Sequence, residues 1–240
     1  GYQDTDYVST IYDLIPELKT MERGRLASNA FPHLKRVCFL GMEKHRGMYS
    51  MPEINALSVM VSDEDYLARQ ATLSPHDVVN MQYTSGTTGF PKGVQWHMSD
   101  YYYACLSGGN PYGDKRHSPA EVAEHVSPEG GFKIVISAPL MHGAGLFTLL
   151  TFVNLGGHLV MFRDFDPQVI VDSTAEYKAQ LLMFVGDGMA VPITDALLEA
   201  KDTKDFSALF MVASGGGIWS KTSRDRLIAL SRAAFLVTNA

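Results

Sequence analysis

The sequence predicts an α/β fold in which parallel or mixed sheets are covered by helices. Short apolar runs alternate with stretches of helical period over most of the second half of the 240 residues. Several of those runs end in a glycine-bearing segment, as strands do where an α/β fold gathers a ligand. No repeat period points to a solenoid or a propeller. With 46% of its residues hydrophobic, the chain can bury a substantial core.

Each element follows from a local pattern. Ile11, Leu14, Ile15 and Leu18 recur at helical spacing, and the run 33–40, closed by Gly41, alternates as a half-buried strand before a polar connection reaching about residue 60. Ser62, followed by Asp63, Glu64 and Asp65, marks a helix N-terminus where the helix dipole favours acidic residues; Pro75-His76-Asp77 breaks that helix. Residues 77–83 read as a strand and 99–106 as a helix, with a glycine-rich segment between them. The stretch 107–131 is rich in Gly, Pro and charge, and reads as an exposed insertion with one short helix near 119–125. Beyond it, strands are expected at 132–137, 158–162, 180–185, 208–213 and 234–237, with helices at 145–154, 167–177, 189–200 and 220–232.

Charge and cysteine usage narrow the function. A net charge of −6, with basic residues scattered along the chain, argues against a nucleic-acid partner. Cys38 and Cys105 match no metal spacing and read as buried or half-buried thiols of a reducing compartment, without a disulfide. His97, His117 and His125 lack metal-ligand spacing and receive no role. No apolar run is long enough to span a bilayer and the first residues have no signal-peptide character, so a cytoplasmic location is expected.

The most informative segment runs from Tyr83 to Val94, Tyr-Thr-Ser-Gly-Thr-Thr-Gly-Phe-Pro-Lys-Gly-Val. Backbone N–H groups freed by Gly86 and Gly89, the hydroxyls of Thr84, Ser85, Thr87 and Thr88, and the Lys92 ammonium can together surround polyphosphate oxygens. A strand, loop, helix order would set this cradle at a strand's carboxyl end. A Walker loop fails here, because Pro91 stands where glycine is demanded and Gly93 where a Mg²⁺-binding Ser or Thr is required. Three further segments follow expected strands. Ala138-Pro139-Leu140-Met141-His142-Gly143 carries a histidine that could equally cap the next helix. Val185-Gly186-Asp187-Gly188 is an incomplete dinucleotide fingerprint, since residue 191 is valine, and Asp187 could be a plain helix cap. In Ser214-Gly215-Gly216-Gly217, the three glycines would let a flat ligand lie on bare backbone, or would simply be a turn.

The segment from Tyr83 to Val94 resembles, almost letter for letter, the signature loop of the adenylate-forming superfamily, which includes acyl-CoA synthetases, luciferases and peptide-synthetase adenylation domains. The Pro139-Leu140-Met141-His142-Gly143 stretch is similar to that family's second signature. The resemblance implies that residues 1–240 are part of the N-terminal AMP-binding domain of such an enzyme, without its small C-terminal domain, and that the chain alone is inactive or very weak. It implies activation of a carboxylic acid by ATP to an acyl-adenylate with loss of pyrophosphate, then thioester formation with CoA. Thr84, Ser85, Gly86, Thr87, Thr88, Gly89 and Lys92 would hold the nucleotide phosphates, and Thr87 would be a Mg²⁺ ligand. Gly215, Gly216 and Gly217 would lie under the adenine. His142, Gly143, Val185, Gly186 and Asp187 would border the acid, with Lys92 and His142 the catalytic pair. The first ninety or so residues resemble synthetases for aliphatic acids, whereas 107–187 look more like ligases for long-chain or steroid side-chain acids. The competing readings are a non-catalytic nucleotide-binding remnant or assembly module, and a P-loop kinase or ATPase. A hydrolase is weaker still, for no G-x-S-x-G elbow is present.

Overall fold

The computed structural model describes residues 5–84, 89–110, 113–126 and 130–230, so the strand expected at 234–237 lies outside the described residues. The chain divides into two compact units, Gly1–Leu73 and Ser74–Ala240.

In the first unit, helix α1 (Tyr7–Leu14) starts at Asp6, whose carboxylate accepts from Val8 N at 3.0 Å and Ser9 N at 3.3 Å. Pro16 ends the α-helical period expected to run on to Leu18 and opens a 3₁₀ turn, Pro16–Lys19. Ile15 and Leu18 still face inward, packing with Leu26 and Met48. The strand expected at 33–40 shrinks to β1 (Val37–Phe39), paired in parallel with β2 (Met48–Ser50). Cys38 is exposed on β1, against the buried or half-buried thiol expected there. Helix α2 (Met51–Ser58) fills what reads as a polar connection. Its start is fixed by Glu53, which accepts from both Ser50 N and Ser50 Oγ, and by Pro52 in the first turn. Helix α3 (Asp63–Ala71) is capped by Ser62 as its sequence indicates, with Asp65 N donating to Ser62 Oγ at 3.0 Å.

The second unit opens with β3 (Val78–Tyr83) and β4 (Gly93–His97), an antiparallel pair. The strand, loop, helix order is therefore wrong: a second strand, antiparallel to the first, follows the loop, and helix α4 (Met98–Cys105) comes only after β4. Period-2 alternation over Gly93-Val-Gln-Trp-His97 carried that signal. Cys105 is a free buried thiol, pushed up to about 11 by its desolvation. Helix α5 (Pro119–Glu124) is capped by Ser118. The surrounding 107–131 stretch is less open than its composition suggests, since Ser107, Gly108 and Val122 are buried. Ser107 is held there by donating to the Thr151 carbonyl at 2.8 Å.

A four-stranded parallel sheet follows, built from β5 (Lys133–Ile136), helix α6 (Gly143–Asn154), β6 (His158–Met161), helix α7 (Pro167–Glu176), β7 (Leu181–Phe184), helix α8 (Gly186–Ala200), β8 (Met211–Ser214) and helix α9 (Lys221–Leu230). The order across the sheet is β6-β5-β7-β8. Alternation along the strands sends Val135, Leu182, Phe184 and Val212 to one face, against Ile170 and Val171 of α7 and Ala190, Ile193 and Leu197 of α8. Ile134, Ile136, Leu181 and Met183 point to the other face, which Ala144, Leu149 and Phe152 of α6 cover. Each such side chain, fully withdrawn from water, contributes about 1.5–3 kcal/mol. From the central strands β5 and β7, the chain thus departs to opposite faces. A crevice opens between two strands of that kind at their carboxyl ends, where α/β sheets bind ligands.

Candidate active site

The crevice is bounded by the segments after β5, β7 and β8, which hold three of the sequence-predicted groups. His142 is the N-cap of α6: its Nδ1 accepts from Ala144 N at 3.2 Å. An accepting Nδ1 leaves Nε2 as the protonated nitrogen of the neutral ring. The imidazole lies on Gly216, so close that a methyl group there would stand 1.9 Å from Cε1 and 2.7 Å from Nε2. Gly216 also has φ +74, a backbone region that disfavours any side chain. The structure shows His142 as a helix cap: the cap bond orients the ring, and the missing Cβ of Gly216 seats it.

The other two segments are fastened to one another. Gly186 N donates to Ser214 Oγ at 2.9 Å, and Asp187 N donates to the Ile218 carbonyl at 2.9 Å. The Asp187 carboxylate accepts from Ser220 N at 3.1 Å. Asp187 lies in the first turn of α8, whose N-cap is Val185, so the side chain spans to the next segment rather than capping its own helix. Gly217 fits against Val185, where an added Cβ would meet Cγ1 at 3.1 Å. Below, Trp219 is buried with its ring 4.9 Å from that of Phe184 in an edge-on contact, which ties the glycine run to the core.

The hairpin reaches this crevice through α6. Trp96, Tyr101 and Phe147 form an edge-to-face trio with centroids 5.3–6.1 Å apart. Asn80 Nδ2 donates to the Tyr101 hydroxyl at 3.1 Å, and Thr151 Oγ1 donates to the Cys105 carbonyl at 3.0 Å. At the end of the hairpin, the Gln82 carboxamide lies beside Gly143, where a methyl would come within 3.4 Å of both its nitrogen and its oxygen. Gln82 is the residue that sequence reasoning missed, for it sits in no glycine-rich motif. Ser214 opens the segment Ser214-Gly215-Gly216-Gly217, and its part in fastening Gly186 appears only in the structure.

The neck of the hairpin loop is closed by Thr84 and Lys92: Thr84 N donates to the Lys92 carbonyl at 3.0 Å and Lys92 N to Thr84 Oγ1 at 3.4 Å. Ser85, Gly86, Thr87 and Thr88 lie outside the described residues. Gly89 has φ +150, and among the described residues no atom comes within 4 Å of where a methyl group would stand, so this glycine serves backbone shape rather than space. Phe90 is 93% exposed and Lys92 is exposed, making no ion pair among the described residues. An exposed ammonium unpaired among the described residues suits an incoming anion. Among the described residues no three His, Cys, Asp or Glu side chains gather to hold a metal. A Mg²⁺ that arrived on phosphate oxygens would keep most of its ligands from them and from water, and would need no such cluster. No helix of the described residues is long and apolar enough to cross a membrane.

Comparison with known proteins bears on the family and the fold. The family model described as AMP-binding enzyme matches residues 14–238. The medium/long-chain-fatty-acid–CoA/3-oxocholest-4-en-26-oate–CoA ligase of Mycolicibacterium smegmatis is 33% identical over 162 residues, covering 64% of this chain and 29% of the relative. The medium-chain acyl-CoA ligase Mig of Mycobacterium avium is 31% identical over 186 residues, covering 74% of this chain and 34% of the relative. Among solved structures, a natural red emitting luciferase from Phrixothrix hirtus superimposes with a TM-score of 0.60 at 21% identity, over 85% of this chain and 46% of that one. The chain thus spans about a third of the length of these curated relatives. It belongs to the AMP-binding enzyme family.

Proposed function

We propose that the chain forms the phosphate-gripping and acid-binding part of an ATP-dependent acid–CoA ligase acting on fatty or other lipid-like acids. One observation carries the reading: the His142 ring, seated on Gly216, shares the sheet's carboxyl-end crevice with Val185, Gly186 and Asp187, and Gln82 brings the Thr84–Lys92 hairpin to its rim. The names of the relatives, ligases of medium- and long-chain fatty acids and of a steroid side-chain acid, support the substrate class.

In this reading Thr84, Ser85, Gly86, Thr87, Thr88, Gly89 and Lys92 grip the β- and γ-phosphates of ATP, while Gly215, Gly216 and Gly217 offer bare backbone to the adenine. The acid enters between His142, Gly143 and the segment 185–187. Its carboxylate attacks the α-phosphorus, pyrophosphate leaves, and CoA thiolate then displaces AMP. Aligning the two anions and neutralising their repulsion is the protein's main task in such a transfer. His142 presents Nε2–H to an acid oxygen, and Lys92 offsets the charge on the leaving pyrophosphate. Mg²⁺, with Thr87 as a ligand, would supply further neutralisation of phosphate charge. Gln82 holds the two regions in register.

ATP–pyrophosphate exchange, run with a panel of fatty and steroid side-chain acids on this chain and on a version extended to the length of its relatives, tests the proposal. Exchange and AMP production by the extended protein, with little from the chain alone, are expected. ADP as product would reassign the loop to a kinase or ATPase. ATP binding with no exchange for any acid would leave a nucleotide-binding remnant.

A further inference from the structure

A cavity of about 790 Å³ opens at the amino end of the parallel sheet, the edge opposite His142 and Gly216. That is the size of a small-molecule site. Its walls are apolar: Phe132 ahead of β5, Phe152 and Leu155 at the end of α6, Leu181 opening β7, and Phe210 and Met211 opening β8. Arg116 lines the same space. Its Nη1 donates to the carbonyls of Ser107 at 3.0 Å and Gly109 at 3.4 Å, which pins the group. Its Nε is buried and has no hydrogen-bond partner among the described residues. Nor is any carboxylate within 4.0 Å of the guanidinium among the described residues. His125, whose Nδ1 donates to the Glu121 carbonyl at 2.7 Å, is the other titratable side chain on the wall.

A guanidinium cannot shed its proton, so a half-buried one calls for an anion. Walls of phenylalanine, leucine and methionine disfavour a fully hydrated anion such as phosphate and favour one that carries a hydrocarbon body. We propose that this cavity binds a monocarboxylate with an apolar tail, the carboxylate on Arg116 and the tail against Phe152, Leu155 and Leu181. The site stands on the cavity and Arg116, and does not rest on the ligase reading.

Octanoate, 1-octanol and inorganic phosphate, each titrated calorimetrically into the 240-residue chain, test it without ATP. Octanoate should bind at least about tenfold more tightly than 1-octanol, the size of a hydrogen bond to a charged group, and phosphate should not bind. Arg116→Gln should bring octanoate down to the level of the alcohol, and Leu155→Trp, which fills the space, should weaken both. Circular-dichroism melts establish that each variant is folded. Methyl NMR of the unmodified chain provides a readout that needs no variant: octanoate should shift Leu155, Leu181 and Met211. Absence of octanoate binding, equal affinity for acid and alcohol, unchanged affinity in a folded Arg116→Gln, or shifts at Ala144 and Val185 without those three would each overturn the assignment.

Discussion

The parallel sheet and the β3–β4 hairpin carry the two halves of the candidate site in opposite ways. At the sheet's carboxyl edge every group is over-determined: His142 is held by Ala144 N and by Gly216, and the segments after β7 and β8 share three cross-links among Gly186, Asp187, Ser214, Ile218 and Ser220. The hairpin leaves Val78, Val79, Met81, Tyr83 and Val94 exposed, and is fastened mainly through the Trp96–Tyr101–Phe147 trio and Gln82. Two-stranded ribbons are marginal by themselves, whereas a sheet covered on both faces is not. The difference teaches where each half gets its geometry. The sheet half inherits it from the core, and the hairpin half has to borrow it from α4 and α6.

The largest expected effect lies beneath the sheet's edge. Phe184 has no exposed surface and packs edge-on against Trp219, which anchors the glycine run. Phe184→Ala should cost about 3–5 kcal/mol in denaturant unfolding, and a loss under about 1 kcal/mol would mean the edge is not built on the core. Lys92→Ala comes next and acts on chemistry alone. In the extended enzyme it should slow adenylation by about 10²–10³-fold, while the unfolding midpoint stays put because the side chain is exposed and unpaired among the described residues. Unchanged turnover would remove the lysine from the phosphate grip. Smaller again is Gly216→Ala, whose methyl would collide with the His142 ring. Overpacking of this kind costs roughly 1–3 kcal/mol, and the His142 NMR resonances should move with it. A silent Gly216→Ala would show that the ring is not seated on this backbone.

Legibility in the sequence follows the same division. The sheet is readable because strands buried on both faces are short apolar runs, as Lys133–Ile136 and Leu181–Phe184 are, and the helices between them have clear caps at His142 and Asp166. The hairpin is half readable. Its first strand stands out, but Gly93–His97 is short, opens on a glycine and directly follows the loop motif, so its alternation is easily taken for loop. In the first unit, α2 is hidden by its polar surroundings, and its capping pair Ser50 and Glu53 together with Pro52 mark where it starts. At the site, glycines and His142 are legible as residue types. Gln82 is not, because its place beside Gly143 depends on the docking of α4 on α6, a tertiary arrangement that no local pattern encodes.

The smallest expected effect is the sharpest test of the contrast. Met81 is 48% exposed on β3, and its side chain turns toward its neighbour strand, with Sδ 3.0 Å from the place a Gly93 methyl would take. If the hairpin draws little stability from its own face, Met81→Ala should change the unfolding free energy by no more than about 0.5 kcal/mol, as surface substitutions do. Hydrogen exchange should agree, with the amides of β3 and β4 exchanging well before those of β7. A cost above about 2 kcal/mol, in the range of a truncated core side chain, would mean that this strand face is covered in solution. The hairpin loop would then rest on a packed platform like the sheet's edge, and the two halves of the candidate site would share one source of rigidity.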